Sequence, residues 1–234
     1  MDIVYSLKIC SNCDELTYSL RSLRNVPHDK VFIVGGCPDN IRKEKIIHIP
    51  TEQTGTKWVN AKNNVKRACI DERLSDDFIY MNDDFFFMQP IAEPVKELNL
   101  YWDTMSAVYD IYFKRCAGET NWCKGMKQTR ELLIKQGFTD PLCYDLHTPI
   151  IFNKTKFLKM FEEIAGLDDI PVLHWRSVYG NLYAQNASKT SDVKVRTAND
   201  IKIGGKLLSC SDGGFAALRQ ILSKLFSQKS EYEK

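Results

Sequence analysis

Long apolar runs are missing from this 234-residue chain. No uninterrupted stretch approaches the roughly 18 residues that span a bilayer, so no membrane-spanning helix is expected. The opening MDIVYSLKIC has neither the apolar core nor the small-residue cleavage site of a secretory signal. The expected location is the cytoplasm, with peripheral membrane contact left open. An excess of one charge is missing too. Lys and Arg number 32 against 30 Asp and Glu, a formal net charge of +2, too small to argue for nucleic acid or a membrane surface by itself. Neither G-x-G-x-x-G nor a G-K-S/T phosphate loop occurs, which disfavours a Rossmann dehydrogenase or a P-loop NTPase. The pairs Gly35-Gly36 and Gly204-Gly205 suit tight turns or the close approach of a ligand instead. Repeats and low-complexity linkers are absent. Cys10 and Cys13 form a lone C-x-x-C among eight cysteines, with no second pair to complete a zinc site. With no export signal, reduced thiols are expected. A redox pair at a helix start stays open, and buried small residues are the plainer reading.

What is present is an ordinary globular composition, 44% hydrophobic and 26% charged, with length enough for a substantial core. DIVYSL (2–7), KVFIVGG (30–36), KIIHIP (45–50) and DFIYMN (77–82) are short apolar runs rich in β-formers, hence strands. Between them CDELTYSLRSLRNV carries Leu16, Leu20 and Leu23 at helical spacing, with Asn12 or Asp14 as N-cap. TKWVNAKNNVKRACID reads as a second helix. Alternation of this kind predicts an α/β domain with a largely parallel sheet. The second half is less regular. Residues 101–113 are ambiguous between strand and helix, and TRELLIKQGF reads as a helix. HTPIIFNKTKFLKMFEEIAG reads as strand, turn at Asn153-Lys154, and helix. KLLSCSDGGFAALRQILSKLF reads as strand, glycine turn and final helix. Residues 1–226 read as a single domain with a regular half, 1–90, and a less regular half, 91–226. The charged end 227–234 is expected to fray.

FIYMNDDFFF (78–87) sets two adjacent carboxylates inside large apolar side chains, which is costly unless they are paired, hydrogen-bonded or bound to a metal. Ligands of open α/β sheets bind at the carboxyl ends of the strands. That rim should hold the loop after Leu7, the Gly35-Gly36 turn, the segment 51–57, and Asn82-Asp83-Asp84. A strand ending in two carboxylates there can hold Mg²⁺ or Mn²⁺ against a diphosphate, the logic of the D-x-D motif of nucleotide-sugar glycosyltransferases. Capping of the next turn, or pairing with nearby Lys and Arg, explains the same pattern. Phe85, Phe86 and Phe87, with Tyr101 and Trp102, read as packing, an acceptor platform being the sharper alternative.

Several segments then coincide in order. CDELTYSLRSL resembles the DELKYSLRS segment of the Stealth family, sugar-1-phosphate transferases that include capsule-polymerising enzymes. DKVFIVGG follows where that family has its IFIVTDG-like strand, and LSDDFIYMNDDFFF resembles LSEHFIYLNDDMF. YDLHTPIIFNKTKFLKMF, HWRSVYGN and KLLSCSDGG resemble its histidine, arginine and closing FLCLND segments. The WVDGSDP that follows the first strand in typical members is missing here. In its short length the chain resembles compact phage-borne relatives described as glycosyltransferase-like.

The resemblance implies a GT-A-like, Rossmann-like fold and a divalent cation, Mn²⁺ or Mg²⁺, with a nucleotide sugar as donor. The metal would lie at Asp83 and Asp84, beside Asn82. His147 would be general base, imidazole titrating near working pH. Arg176 would neutralise developing phosphate charge. Asp212 would be a further metal ligand or acceptor contact, or a cap for the last helix. His174 is a distant alternative to His147. Lys57, Asn60 and Asn64 on the second helix are donor-binding candidates, with a solvated helix face as the plain alternative. Arg21, in the matched YSLRS segment, is a donor or acceptor contact unless it pairs with Glu15 or Asp14. The expected reaction moves a sugar-1-phosphate to an acceptor hydroxyl. Ordinary glycosyl transfer to a polysaccharide, a protein or a modified DNA base is the first alternative. A catalytically silent sugar-nucleotide-binding module is the second.

Overall fold

The structure, a computed structural model, describes residues 1–9 and 13–234. Cys10 of the C-x-x-C and the N-cap candidate Asn12 lie outside the described residues. The first half alternates as expected: β1 (Asp2–Leu7), α1 (Asp14–Ser22), β2 (Val31–Gly35), β3 (Ile47–Ile49), α2 (Lys57–Cys69), β4 (Asp77–Met81) and β5 (Phe85–Phe87). There follow α3 (Pro94–Glu97), β6 (Leu100–Tyr101), α4 (Met105–Arg115), α5 (Asn121–Lys135), β7 (Ile150–Asn153) and α6 (Lys154–Glu163). The chain closes through α7 (Trp175–Tyr183), β8 (Ser188–Lys189), β9 (Lys194–Val195), β10 (Leu207–Cys210) and α8 (Asp212–Leu225).

The main sheet runs β3-β2-β1-β4-β7. Its first four strands are parallel and β7 lies antiparallel on β4. Val4 and Tyr80 face one core, against α2, α6 and α7, while Ile3, Tyr5 and Met81 face the other, against α1. Burial on both faces explains why these strands read as continuous apolar runs. A second sheet, β5-β10-β9, begins just past the carboxyl end of β4, after the turn at 82–84. The three phenylalanines of β5 divide between cores by strand alternation: Phe85 and Phe87 join the α1 side, and Phe86 joins a small cluster under α8. They are packing residues, and they end the turn that presents Asp83 and Asp84.

Chain order places β2 and β3 to one side of β1 and β4 to the other, so the switch in direction lies between β1 and β4. A crevice forms there outside the carboxyl ends. Gly35 makes its wall possible. Its φ is +105°, and a Cβ there would stand 2.1 Å from the Leu7 carbonyl oxygen. At the other wall, a Cβ on Gly214 would stand 2.0 Å from the Val195 carbonyl oxygen, so glycine lets the start of α8 lie against β9.

The expected frayed end is corrected. Arg42 N–H donates to the Tyr232 carbonyl at 2.8 Å, and the Tyr232 hydroxyl meets His28 Nε2 at 2.8 Å. Glu233 accepts from Arg21 Nε at 2.8 Å and Nη2 at 2.6 Å. The segment is charged, but its two glutamates are paired, Glu231 with Lys45 and Glu233 with Arg21, and an aromatic ring is buried with them. No helix among the described residues is long and apolar enough to cross a membrane.

Candidate active site

A cleft of about 750 Å³ opens at the switch point. Leu7, Asn64, Asn82, Asp83 and Asp84 line it from the main sheet side, and Lys194, Ser211 and Asp212 from the second sheet and α8. Asp83 and Asp84 occupy the turn between β4 and β5. Asp84 Oδ2 accepts from Ser209 Oγ at 3.0 Å and pairs with Lys194 Nζ at 3.4 Å. Asp83 Oδ2 accepts from the Cys13 thiol at 3.2 Å. Burial, and then the like charge of Asp84, push the Asp83 carboxyl up to about 6. Two crowded carboxylates with one ammonium between them leave negative charge uncompensated, and an oxygen-rich pair of this kind fits a hard divalent cation. Among the described residues no three His, Cys, Asp or Glu side chains converge on a metal position. A cation here would draw its remaining ligands from phosphate oxygens and water.

A second cavity of about 400 Å³ shares Lys57, Asn82 and Lys194 with the cleft. His147 lines it, its Nδ1 3.0 Å from both carboxylate oxygens of Asp192. Arg176, in the first turn of α7, also lines it and is 7% exposed. One guanidinium nitrogen donates to the Thr148 carbonyl at 2.6 Å, while the buried Nε has no partner among the described residues. Burial pulls this guanidinium below its ordinary value, opposed by Asp145, yet arginine stays protonated in proteins. Asp145 itself is held below the usual carboxylate range. Burial works against that, and His174, Ser177 and Arg176 prevail.

The structure thus brings together nine of the ten residues singled out in the sequence: Asp83, Asp84, Asn82, Lys57, Asn60, Asn64, Asp212, His147 and Arg176. Ser211, not Asp212, caps α8, accepting from Gly214 N–H at 3.2 Å. That leaves Asp212 exposed in the first turn, facing the cleft. Asn82 Oδ1 accepts from the Tyr80 hydroxyl at 2.7 Å, and its Nδ2 has no partner among the described residues. Asn60 and Asn64 line the cleft with amides already committed. Asn60 clasps Gly55 through two hydrogen bonds. Asn64 donates to Ser6 Oγ and the Val34 carbonyl and accepts from Thr51. Both fasten the rim, which differs from direct recognition of a base or sugar.

Arg21 is a correction. It lies near the far end of α1, roughly 10 Å along the helix from the rim, and its guanidinium grips Glu233 and the Phe226 carbonyl. Neither Glu15 nor Asp14 is its partner, and it lines neither cavity. Reasoning from sequence missed Lys194, Ser209, Asp192, Asp145 and the Cys13 thiol. The segment SDVKVR (191–196) did hold a signal: Asp192, Lys194 and Arg196 alternate at strand spacing, which puts three charges on one side. The remaining cysteines are mostly interior, and burial pushes the Cys69 thiol up to about 12.

The fold is GT-A-like, an α/β architecture with a mostly parallel sheet flanked by helices. A galactosyltransferase LgtC in complex with donor and acceptor sugar analogs matches all of this chain and 98% of its own length, at TM-score 0.52 and 9% identity. An active-site mutant of LgtC matches over the same shares at TM-score 0.54 and 10% identity. The bifunctional glycosyltransferase WbbM, in its apo structure, matches 97% of this chain and 49% of its own, at TM-score 0.54 and 10% identity. At such identities the likeness carries the fold alone. No family profile matches the chain, and no curated protein matches it by sequence.

Proposed function

We propose that this protein is a metal-dependent nucleotide-sugar transferase acting on an acceptor hydroxyl, with Stealth-type sugar-1-phosphate transfer as its reaction. One observation carries this reading: the crowded Asp83–Asp84 pair lies on a cleft that continues into a cavity lined by His147 and the buried Arg176. Asp83 and Asp84 would hold Mg²⁺ or Mn²⁺, which when bound neutralises the donor diphosphate. Lys57 and Lys194, at the junction of the two cavities, bind its phosphate oxygens. Asn82 offers an amide N–H at the same junction, and Asp212 faces the donor from α8.

His147 takes the proton from the acceptor hydroxyl through Nε2. The acceptor oxygen forms a bond to the sugar-bearing phosphorus as the bond from that phosphorus to the bridging oxygen breaks. Nucleoside monophosphate leaves, and the product is a sugar-phosphate diester. Arg176 offers N–H donors to the charge that develops. Glycosyl transfer on the same scaffold is the second reading, supported by the fold shared with LgtC. There the acceptor attacks the anomeric carbon and nucleoside diphosphate leaves. The released nucleotide separates the two.

The protein is incubated with Mn²⁺ or Mg²⁺, a panel of nucleotide sugars, and acceptors that include polysaccharide, protein and hydroxymethylated DNA. The nucleotide is then identified by mass spectrometry. Monophosphate with a sugar-phosphate adduct is the expected result. Diphosphate with a glycosylated acceptor replaces it by the second reading. Donor that binds and is never consumed with any acceptor overturns both in favour of a silent binding module.

A further inference from the structure

We propose that Asp192 is a positioning residue that fixes His147 in the tautomer and orientation of a general base. This rests on the reading of His147 as the base. Asp192 belongs to the extended segment leading into β9, 45 residues along the chain from His147. Its side chain is 7% exposed. Oδ1 accepts from the His147 backbone N–H at 3.0 Å, and both oxygens lie 3.0 Å from Nδ1. An ionised carboxylate only accepts, so Nδ1 carries the proton and the Nε2 lone pair is left for an acceptor hydroxyl. Nε2 has no partner among the described residues, and the ring is 26% exposed where it lines the cavity.

The carboxylate is itself anchored. Arg196 Nη2 reaches Asp192 Oδ2 at 3.3 Å and the Tyr112 hydroxyl at 3.3 Å. Burial works against an ionised Asp192, but the His147 bonds and Arg196 hold it well below the usual carboxylate range. The other histidine of the cavity shows the contrast. His174 is 2% exposed, its Nδ1 is 3.1 Å from Asp145, and its Nε2 is 3.1 Å from the Trp122 carbonyl. With Asp145 and the Trp122 carbonyl beside its nitrogens, that buried ring is held by the protein rather than presented to a substrate. Asp192 touches His147 directly, and Lys57, Lys194, Arg176, Asp145 and His174 line the same cavity.

Two measurements test the assignment. In ¹⁵N-histidine NMR of the unliganded protein at mildly alkaline pH, the signal lost in His147→Gln should report a protonated Nδ1 and a bare Nε2. Asp192→Asn should mix or reverse that tautomer. It should lower kcat by on the order of 10²–10⁴-fold with donor KM changed less than about threefold. Wild-type turnover in Asp192→Asn, while His147→Ala is inactive, overturns the proposal and leaves the base assignment standing. Full turnover in His147→Ala overturns the base assignment itself. If Asp192→Asn does not fold, the wild-type spectrum decides alone: an Nε2-protonated His147 contradicts the proposal.

Discussion

Asp84 is tied to Ser209 and Lys194, whereas Asp83 has a thiol on one side and a like charge on the other. The two should therefore respond differently to substitution. Either Asp83→Asn or Asp84→Asn should cut metal-dependent turnover by at least about 10²-fold, the scale of losing a charge-stabilising group, measured as nucleotide released per minute. In metal-free buffer at neutral pH, Asp83→Asn should keep or raise the melting temperature, because an ionised Asp83 burdens the fold. A drop of many degrees would mean that the carboxylate is structural. The pair was legible in FIYMNDDFFF because burial of charge demands compensation, and His147, Arg176 and Asp212 followed from the resemblance. Asp192 and Lys194 were not singled out, because their partners lie 45 and 110 residues away. A charge alternation such as D-x-K-x-R has no local mark of what it will meet. Arg21 failed in the opposite way, since its true partner is 212 residues distant.

At the scale of elements, β1 to β4 were readable because each is a short apolar run between turn residues, and β1, β2 and β4 are buried on both faces. Residues 101–113 were not. Tyr, Val, Ile and Phe there favour strands, yet Met105, Val108 and Tyr112 fall on one helical stripe, and α4 buries the first two. The helix starts after Thr104, whose hydroxyl caps it by accepting from Ala107 N–H at 3.2 Å. Helix α7 was seen only as an arginine-bearing segment, because its nine residues, buried over Trp175–Gly180, show no polar face to give a period. Element geometry also sets a test of the cleft wall. Gly35→Ala should destabilise by more than about 1–3 kcal/mol, since it meets both a positive φ and a backbone oxygen. Urea unfolding measures it, and an unchanged midpoint would mean that β1 and β2 separate at the rim without cost.

Across the whole molecule, the C-terminal segment reaches back to α1 and the loop after β2, joining the last residues to the first third of the chain. Glu233 lies below the usual carboxylate range. Burial works against this, and Arg21 and Ser230 outweigh it. A depressed carboxyl contributes stability above its unfolded pKa and loses it as pH falls through the folded one. Glu233→Gln should therefore cost on the order of 1–3 kcal/mol at pH 7, and the gap to wild type should close as pH falls below about 4. Denaturant midpoints across pH measure both. A gap that persists at pH 3 would assign the cost to packing rather than charge.

The central claim is that the carboxylate pair is tolerated because a cation and a diphosphate compensate it. The direct measurement is calorimetric titration of a panel of nucleoside diphosphates into wild type and Asp84→Asn, with Mn²⁺ or with EDTA. The account predicts binding of at least one nucleotide by wild type in Mn²⁺, weakened at least about tenfold by EDTA and by Asp84→Asn. Equal affinity in all four conditions would contradict it.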